Sequence, residues 1–105
     1  MTKEKLFEEF KNLLAISHKN DDPTLTEAEI AEIRGEIEQK YNLDSPLSTL
    51  GLDSMKMTWL IVRFEEALDI DASGLSFFEL FDVNDLIEEL SSLIREQKAG
   101  PDARL

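Results

Sequence analysis

Leu50-Gly51-Leu52-Asp53-Ser54-Met55, running on through Lys56-Met57-Thr58-Trp59-Leu60, is the stretch from which the rest of the chain is read. A glycine-bearing turn is followed by an acidic residue and then by apolar residues at helical spacing. That order predicts a helix over about residues 54–69 with Asp53 as its N-cap. Met55, Trp59, Leu60, Val62, Phe64 and Leu68 supply its apolar content. A serine at the first helical position has an exposed hydroxyl. It also lies at the positive end of the helix dipole, where free backbone N–H groups favour a phosphate. Ser54 is therefore well placed to carry a phosphorylated group and badly placed to be an unaided nucleophile. The sole histidine, His18, is 36 residues away in an expected turn, so no base is at hand to activate the hydroxyl. The plainer alternative is that Asp53-Ser54 is only a helix cap.

Outward from this stretch the periodicity is helical and no strand pattern competes. Leu6, Phe10, Leu13 and Leu14, with Phe7, form one apolar stripe on a helix expected over 3–16. The turn residues SHKNDDP (17–23) are expected to end it. Thr26 and Glu29 have capping-box spacing and open a second helix, striped by Ile30, Ile33, Ile37 and Tyr41 and interrupted by Gly35. Residues 42–53 read as loop, 69–74 as the end of the third helix and 76–81 as a short helical turn. Asn84 or Asp82 caps a last helix whose buried face is Leu86, Ile87, Leu90, Leu93 and Ile94. Gly100-Pro101 stops helix formation, and 98–105 reads as a flexible tail.

The chain has 105 residues and 42% apolar content, which suits one globular domain. Its net charge of −12 opposes nucleic acid and anionic membrane surfaces and favours basic protein surfaces or cations. With no Cys and one His, disulfides, zinc–thiolate sites, thiol catalysis and multi-histidine metal sites are excluded. No apolar run approaches the roughly 20 residues of a membrane span. The acidic start, MTKEKLFEEF, does not read as a signal peptide, so the expected compartment is cytoplasmic.

From Leu50 to Leu90 the chain resembles the acyl carrier protein family. The resemblance runs through Leu50-Gly51-x-Asp53-Ser54-Met55 and Phe64-Glu65-Glu66. It continues through Asp69 and a short linker to Phe81-Asp82-Val83 and Leu86-Ile87-x-x-Leu90. It implies an all-α, acyl-carrier-like bundle of three to four main helices plus one short helix, here with an extra N-terminal helix. It implies no catalytic residue and no metal site. A phosphopantetheinyl transferase would join 4′-phosphopantetheine from coenzyme A to the Ser54 hydroxyl. The arm would carry acyl groups as thioesters, supplying the sulfur chemistry that a Cys-free chain lacks. Asp53 would help the transferase engage the serine, near its metal. Gly51 would give a tight approach and Leu52 a surface contact. Met55 stands where the family usually has Leu. Partners would be the transferase and the acyl-transferring or acyl-modifying enzymes of one pathway, fatty acyl, polyketide or related, with the carrier a monomer. The expected core draws on Leu60, Phe64, Leu68, Leu86, Leu90 and Leu93.

Two departures from the family qualify this reading. Where the family offers carboxylates after the serine, this chain has Lys56, Trp59 and Arg63 at helical spacing. A reversed charge there predicts docking onto dedicated partner enzymes; the alternative has Trp59 facing the core and the cations offsetting nearby acids. The second departure is an excess of helix before the motif. The sequence does not decide whether 24–41 or 3–16 is the family's first helix. The division adopted is a 1–22 helical extension, a 23–97 carrier domain and the 98–105 tail. The extra helix must bury its stripe on the bundle, on a partner or on another copy.

Two rival readings belong to other classes. In an EF-hand register, Asp69-x-Asp71-x-Ser73-Gly74 matches half a calcium loop, but position 12 is Leu80, with Glu79 one place early. A second register, His18 to Glu29, fails at His18 and at Pro23, which cannot adopt the positive φ of the turn. The other rival is an acidic interaction module in which Ser54 is never modified.

Overall fold

The computed structural model describes residues 2–76 and 79–98, and these are all-helical, without a strand. Four helices, α1 (Lys3–Asp21), α2 (Glu27–Lys40), α3 (Ser54–Leu68) and α4 (Val83–Lys98), are joined by loops, one of which contains a 3-10 turn at Leu47–Leu50.

α1 runs five residues past its expected end at residue 16. Ser17 is buried, and its hydroxyl donates to the Leu14 carbonyl, so this polar residue is satisfied inside the helix. Pro23 restricts the residue before it, Asp22, and leaves 17–21 free to continue. Asp22 ends the helix with its N–H on the His18 carbonyl, and His18 and Lys19 complement the negative end of the dipole. The sole histidine is thus in a helical last turn, where a bend was expected.

The apolar stripe of α1 is buried in the bundle. Leu6 and Phe10 are fully buried, Leu13 and Leu14 nearly so, and α1 packs against α2, α3 and α4. They join one core with Leu60, Phe64, Val83, Leu86, Ile87 and Leu90. Of the expected core residues, Leu68 and Leu93 are only partly buried at its edge.

α2 begins at the expected capping box: Thr26 Oγ1 accepts the Glu29 N–H, and Glu29 Oε1 accepts the Thr26 N–H. Its attachment differs from that of α1. Only Ile37 is buried, while Ile30 and Ile33 are half-buried. Tyr41, expected on the stripe, is instead the extended C-cap. α2 folds back on α1 through a charged zipper. The buried Lys11 ammonium donates to Glu8 at 2.9 Å and to Glu38 at 2.6 Å, and lies 4.1 Å from the Phe7 ring centroid. Arg34 bonds Glu8, Glu38 and Asn12.

α4 is capped by Asp82, one of the two expected candidates. Its carboxylate accepts the Asp85 N–H, while Asp85 accepts the N–H groups of Phe81 and Asp82. The short helix expected over 76–81 falls partly on residues that are not described, and Glu79 is in 3-10 conformation. Residues 77–78 lie outside the described residues, and Glu79 closes a turn onto the Ser76 carbonyl. A short helical element that was not expected lies at Leu47–Leu50. Residues 99–105 of the expected tail also lie outside the described residues, and Lys98 is helical.

Candidate functional site

The loop before α3 is held by long-range backbone bonds. The N–H groups of Leu47, Val83 and Asn84 donate to the carbonyls of Phe81, Ser45 and Leu43 at 2.9, 3.1 and 2.8 Å. Residues 43–47 are thereby fastened to the start of α4. The 3-10 turn then ends at Gly51, whose φ of 71° is left-handed. An added Cβ there would meet nothing within 4 Å. No neighbour within the chain therefore requires glycine here, and the left-handed backbone angle does.

Asp53 is the N-cap, with its carboxylate accepting the Lys56 N–H at 2.8 Å and its carbonyl accepting the Met57 N–H. Ser54 follows at the first helical position and is exposed. The Ser54 and Met55 N–H groups precede the first intrahelical bond and face outward from the helix end. On one side of Ser54 lies a cleft of about 210 Å³ lined by Leu47, Ser48, Leu52, Asp53, Ser54, Met57 and Leu80. Leu52 is half-buried and packs on the core, so it is a wall of this cleft as much as a surface contact. Met55 points the other way and is 81% exposed.

A second cleft, of about 330 Å³, lies between the end of α1 and the start of α3. Asn20, Asp21, Asp53, Met55, Lys56 and Trp59 line it. Lys56 Nζ is 3.2 Å from Asp21 Oδ2. Further along, the Arg63 guanidinium lies 5.6 Å from the Trp59 ring centroid and pairs with Glu66 at 3.2 Å. Lys56, Trp59 and Arg63 thus share one face, as their spacing predicts. Each is half-buried, and each cation already has an acidic neighbour.

The cleft residues Leu47, Ser48 and Leu80, and the α1 residues Asn20 and Asp21, escaped the sequence reading. Leu47 left a faint signal as an apolar residue in a polar loop; Asp21 left none, because its role depends on where α1 ends. In the half-matched calcium register, Asp69 pairs with Lys98 and Asp71 accepts the Ser73 N–H. Among the described residues no three His, Asp or Glu side chains are grouped to hold a metal. No described helix is long and apolar enough to cross a membrane.

A helical bundle that presents an exposed serine at a helix start, beside an apolar cleft, can hold a tethered group there. The family model for a phosphopantetheine attachment site matches residues 27–90, more than half of the chain, and the chain belongs to that family. It is a carrier that receives 4′-phosphopantetheine covalently, is not itself catalytic, and bears acyl groups for transferases and pathway enzymes. The match begins at the first residue of α2, so α1 precedes it while contributing to the same core. Neither the curated proteins nor the solved structures yielded a significant match.

The residues present fit such an arm. The hydroxyl is accessible, the helix start supplies N–H donors to a phosphate, and Leu47, Leu52, Met57 and Leu80 offer an apolar cleft beside it.

Proposed function

We propose that Ser54 carries the phosphopantetheine arm and that the protein serves a dedicated fatty acyl, polyketide or related pathway. The observation that carries the assignment is the exposed Ser54 at the first position of α3, within the family-matched residues and at the mouth of the 210 Å³ cleft. In the modification, the serine Oγ bonds to the phosphorus that bears the pantetheine in coenzyme A. The pyrophosphate P–O bond breaks, adenosine bisphosphate leaves, and the hydroxyl proton passes to the transferase. Asp53 fixes the helix start that presents the serine and offers its free carboxylate edge to the transferase. Gly51 sets the preceding turn, while Leu52 and Met55 flank the serine on its two sides. The reading assigns the carrier to the cytoplasm, with coenzyme A and the transferase.

The same proposal makes the Lys56–Trp59–Arg63 face the docking surface for the pathway enzymes. Arg63 stacked on Trp59 gives it a flat cationic patch in a chain of net charge −12. A partner with carboxylates opposite this patch gains over one with the basic surface that an acidic carrier face would attract. The carrier unit is proposed as residues 23–97, preceded by an extension, 1–22, whose helix α1 packs on it, and followed by the segment 98–105.

The test is intact mass after incubation with coenzyme A and a broad-specificity phosphopantetheinyl transferase. The chain gains one phosphopantetheine unit and Ser54→Ala gains none. A folded wild-type chain that several transferases leave unmodified would sink the assignment.

A further inference from the structure

The arm would bring a phosphodiester anion to a place that already holds a carboxylate, and the first turn of α3 holds one cation to meet it. We propose that Lys56 is the countercharge of that phosphodiester, and that loading Ser54 draws Lys56 away from Asp21 and releases the last turn of α1. The inference rests on Ser54 being the attachment site.

The Asp53 carboxylate adjoins Ser54, already accepts the Lys56 N–H, and repels a second anion. The partial positive charge of the helix start offsets only part of that repulsion. Lys56 is two residues from Ser54 and lines a cleft with Asp53 and Met55. The only other cation of α3, Arg63, lies nine residues along the helix, about 13 Å in rise, and is engaged with Glu66 and Trp59. Two carboxylates face the Lys56 side chain from the cleft, Asp53 on its own helix and Asp21 on α1.

The present bond of Lys56 is weak enough to exchange. Its side chain is 37% exposed and that of Asp21 is 62% exposed, so the pair is screened by water. A phosphodiester tethered two residues away is present at an effective concentration on the order of millimolar. The flexible ammonium stem needs no backbone change to turn from one anion to the other. Loading would then be reported at α1, whose Asn20 and Asp21 form the opposite wall of the cleft.

The experiment uses the full chain, unloaded and fully loaded from coenzyme A, with loading read by intact mass. In the loaded protein, the 31P resonance of the phosphodiester moves in Lys56→Gln and stays in place in Arg63→Gln. Loading the wild-type chain speeds amide exchange over residues 17–21, by up to roughly fivefold, the range an exposed ion pair spans. Asp21→Asn exchanges at that faster rate before loading and does not change on loading. A 31P resonance indifferent to Lys56→Gln overturns the inference, as does wild-type exchange at 17–21 unaltered by complete loading. Failure to gain mass is a different result, which removes the attachment reading and the inference with it.

Discussion

At the scale of single residues, two glycines in open surroundings have opposite meanings. Gly51 has a φ of 71° and Gly35 lies inside α2, and an added Cβ would meet nothing within 4 Å at either. Sterics with neighbours therefore drop out and backbone conformation decides the sign. Gly51→Ala is expected to cost about 1–2 kcal/mol, the penalty of a left-handed L-residue. Gly35→Ala is expected to stabilise by about 0.5–1 kcal/mol, because alanine gives up less freedom in a helix. Thermal unfolding of the two variants reads both, with Tm falling in the first and rising in the second. Asp53 has two separable roles. Asp53→Ala loses the cap and costs about 1 kcal/mol, whereas Asp53→Asn keeps a capping oxygen and stays within a few tenths. Both variants are expected to be modified more slowly by the transferase, since both lack the carboxylate. Unfolding curves beside modification rates separate the cap from the recognition role.

At the scale of elements, α2 is attached differently from the other helices. It buries only Ile37, packs Ile30 and Ile33 half-buried against the core, and adds a set of ion pairs to α1. The Lys11 and Arg34 side chains, donating to Glu38, hold its carboxyl below the usual glutamate value of 4.5. A depressed folded-state pKa contributes stability above the unfolded value, and that contribution is lost as pH falls through the folded one. Stability is therefore expected to decline on acidification below about pH 4.5, and Glu38→Gln to flatten part of that decline. Denaturant unfolding at a series of acidic pH values measures it. The decline is not all removed by the variant, because Asp22 beside Thr24 and Asp71 beside Ser73 are lowered as well, each by a hydroxyl and a backbone N–H.

At the scale of the whole molecule, α1 is the helix that ties the others together. Phe10 is fully buried where α1 meets the shared core. Phe10→Ala is expected to cost about 3–5 kcal/mol, a large share of a small domain's stability, and to lower the denaturant midpoint accordingly. A mere surface extension would lose far less. The charge distribution makes the other prediction at this scale. Arg63→Glu restores an acidic docking face without touching the turn that bears Ser54. The loaded variant is expected to be used better by ordinary fatty-acid enzymes, measured as kcat/KM; an unchanged value would count against a dedicated docking face.

Four helices, the caps at Thr26 and Asp53, most of the buried face and the exposed serine at the start of α3 were legible in the order of the residues. These features follow from local chemistry: apolar periodicity, a side-chain oxygen three residues before the N–H it accepts, and a turn that glycine permits. The extent of α1 was not legible, because SHKND reads as turn until Ser17 is seen to satisfy its hydroxyl inside the helix. Which helix fills the core was not legible before the helices packed together. The stripes of α1 and α2 look alike as patterns, and each is amphipathic on its own. The difference is that the Leu6 and Phe10 side chains are enclosed on all sides, while α2 buries only Ile37 and adds ion pairs among Lys11, Arg34, Glu8 and Glu38. The surroundings of Ser54 were likewise a tertiary matter. Its apolar cleft needs Leu47 and Leu80 from segments 33 residues apart, fastened by backbone bonds between the 43–47 loop and the start of α4. Its ionic neighbour needs the last turn of α1. Bonds between distant backbone groups and pairs between distant charges leave no periodicity in the chain, so they exist only once it has folded.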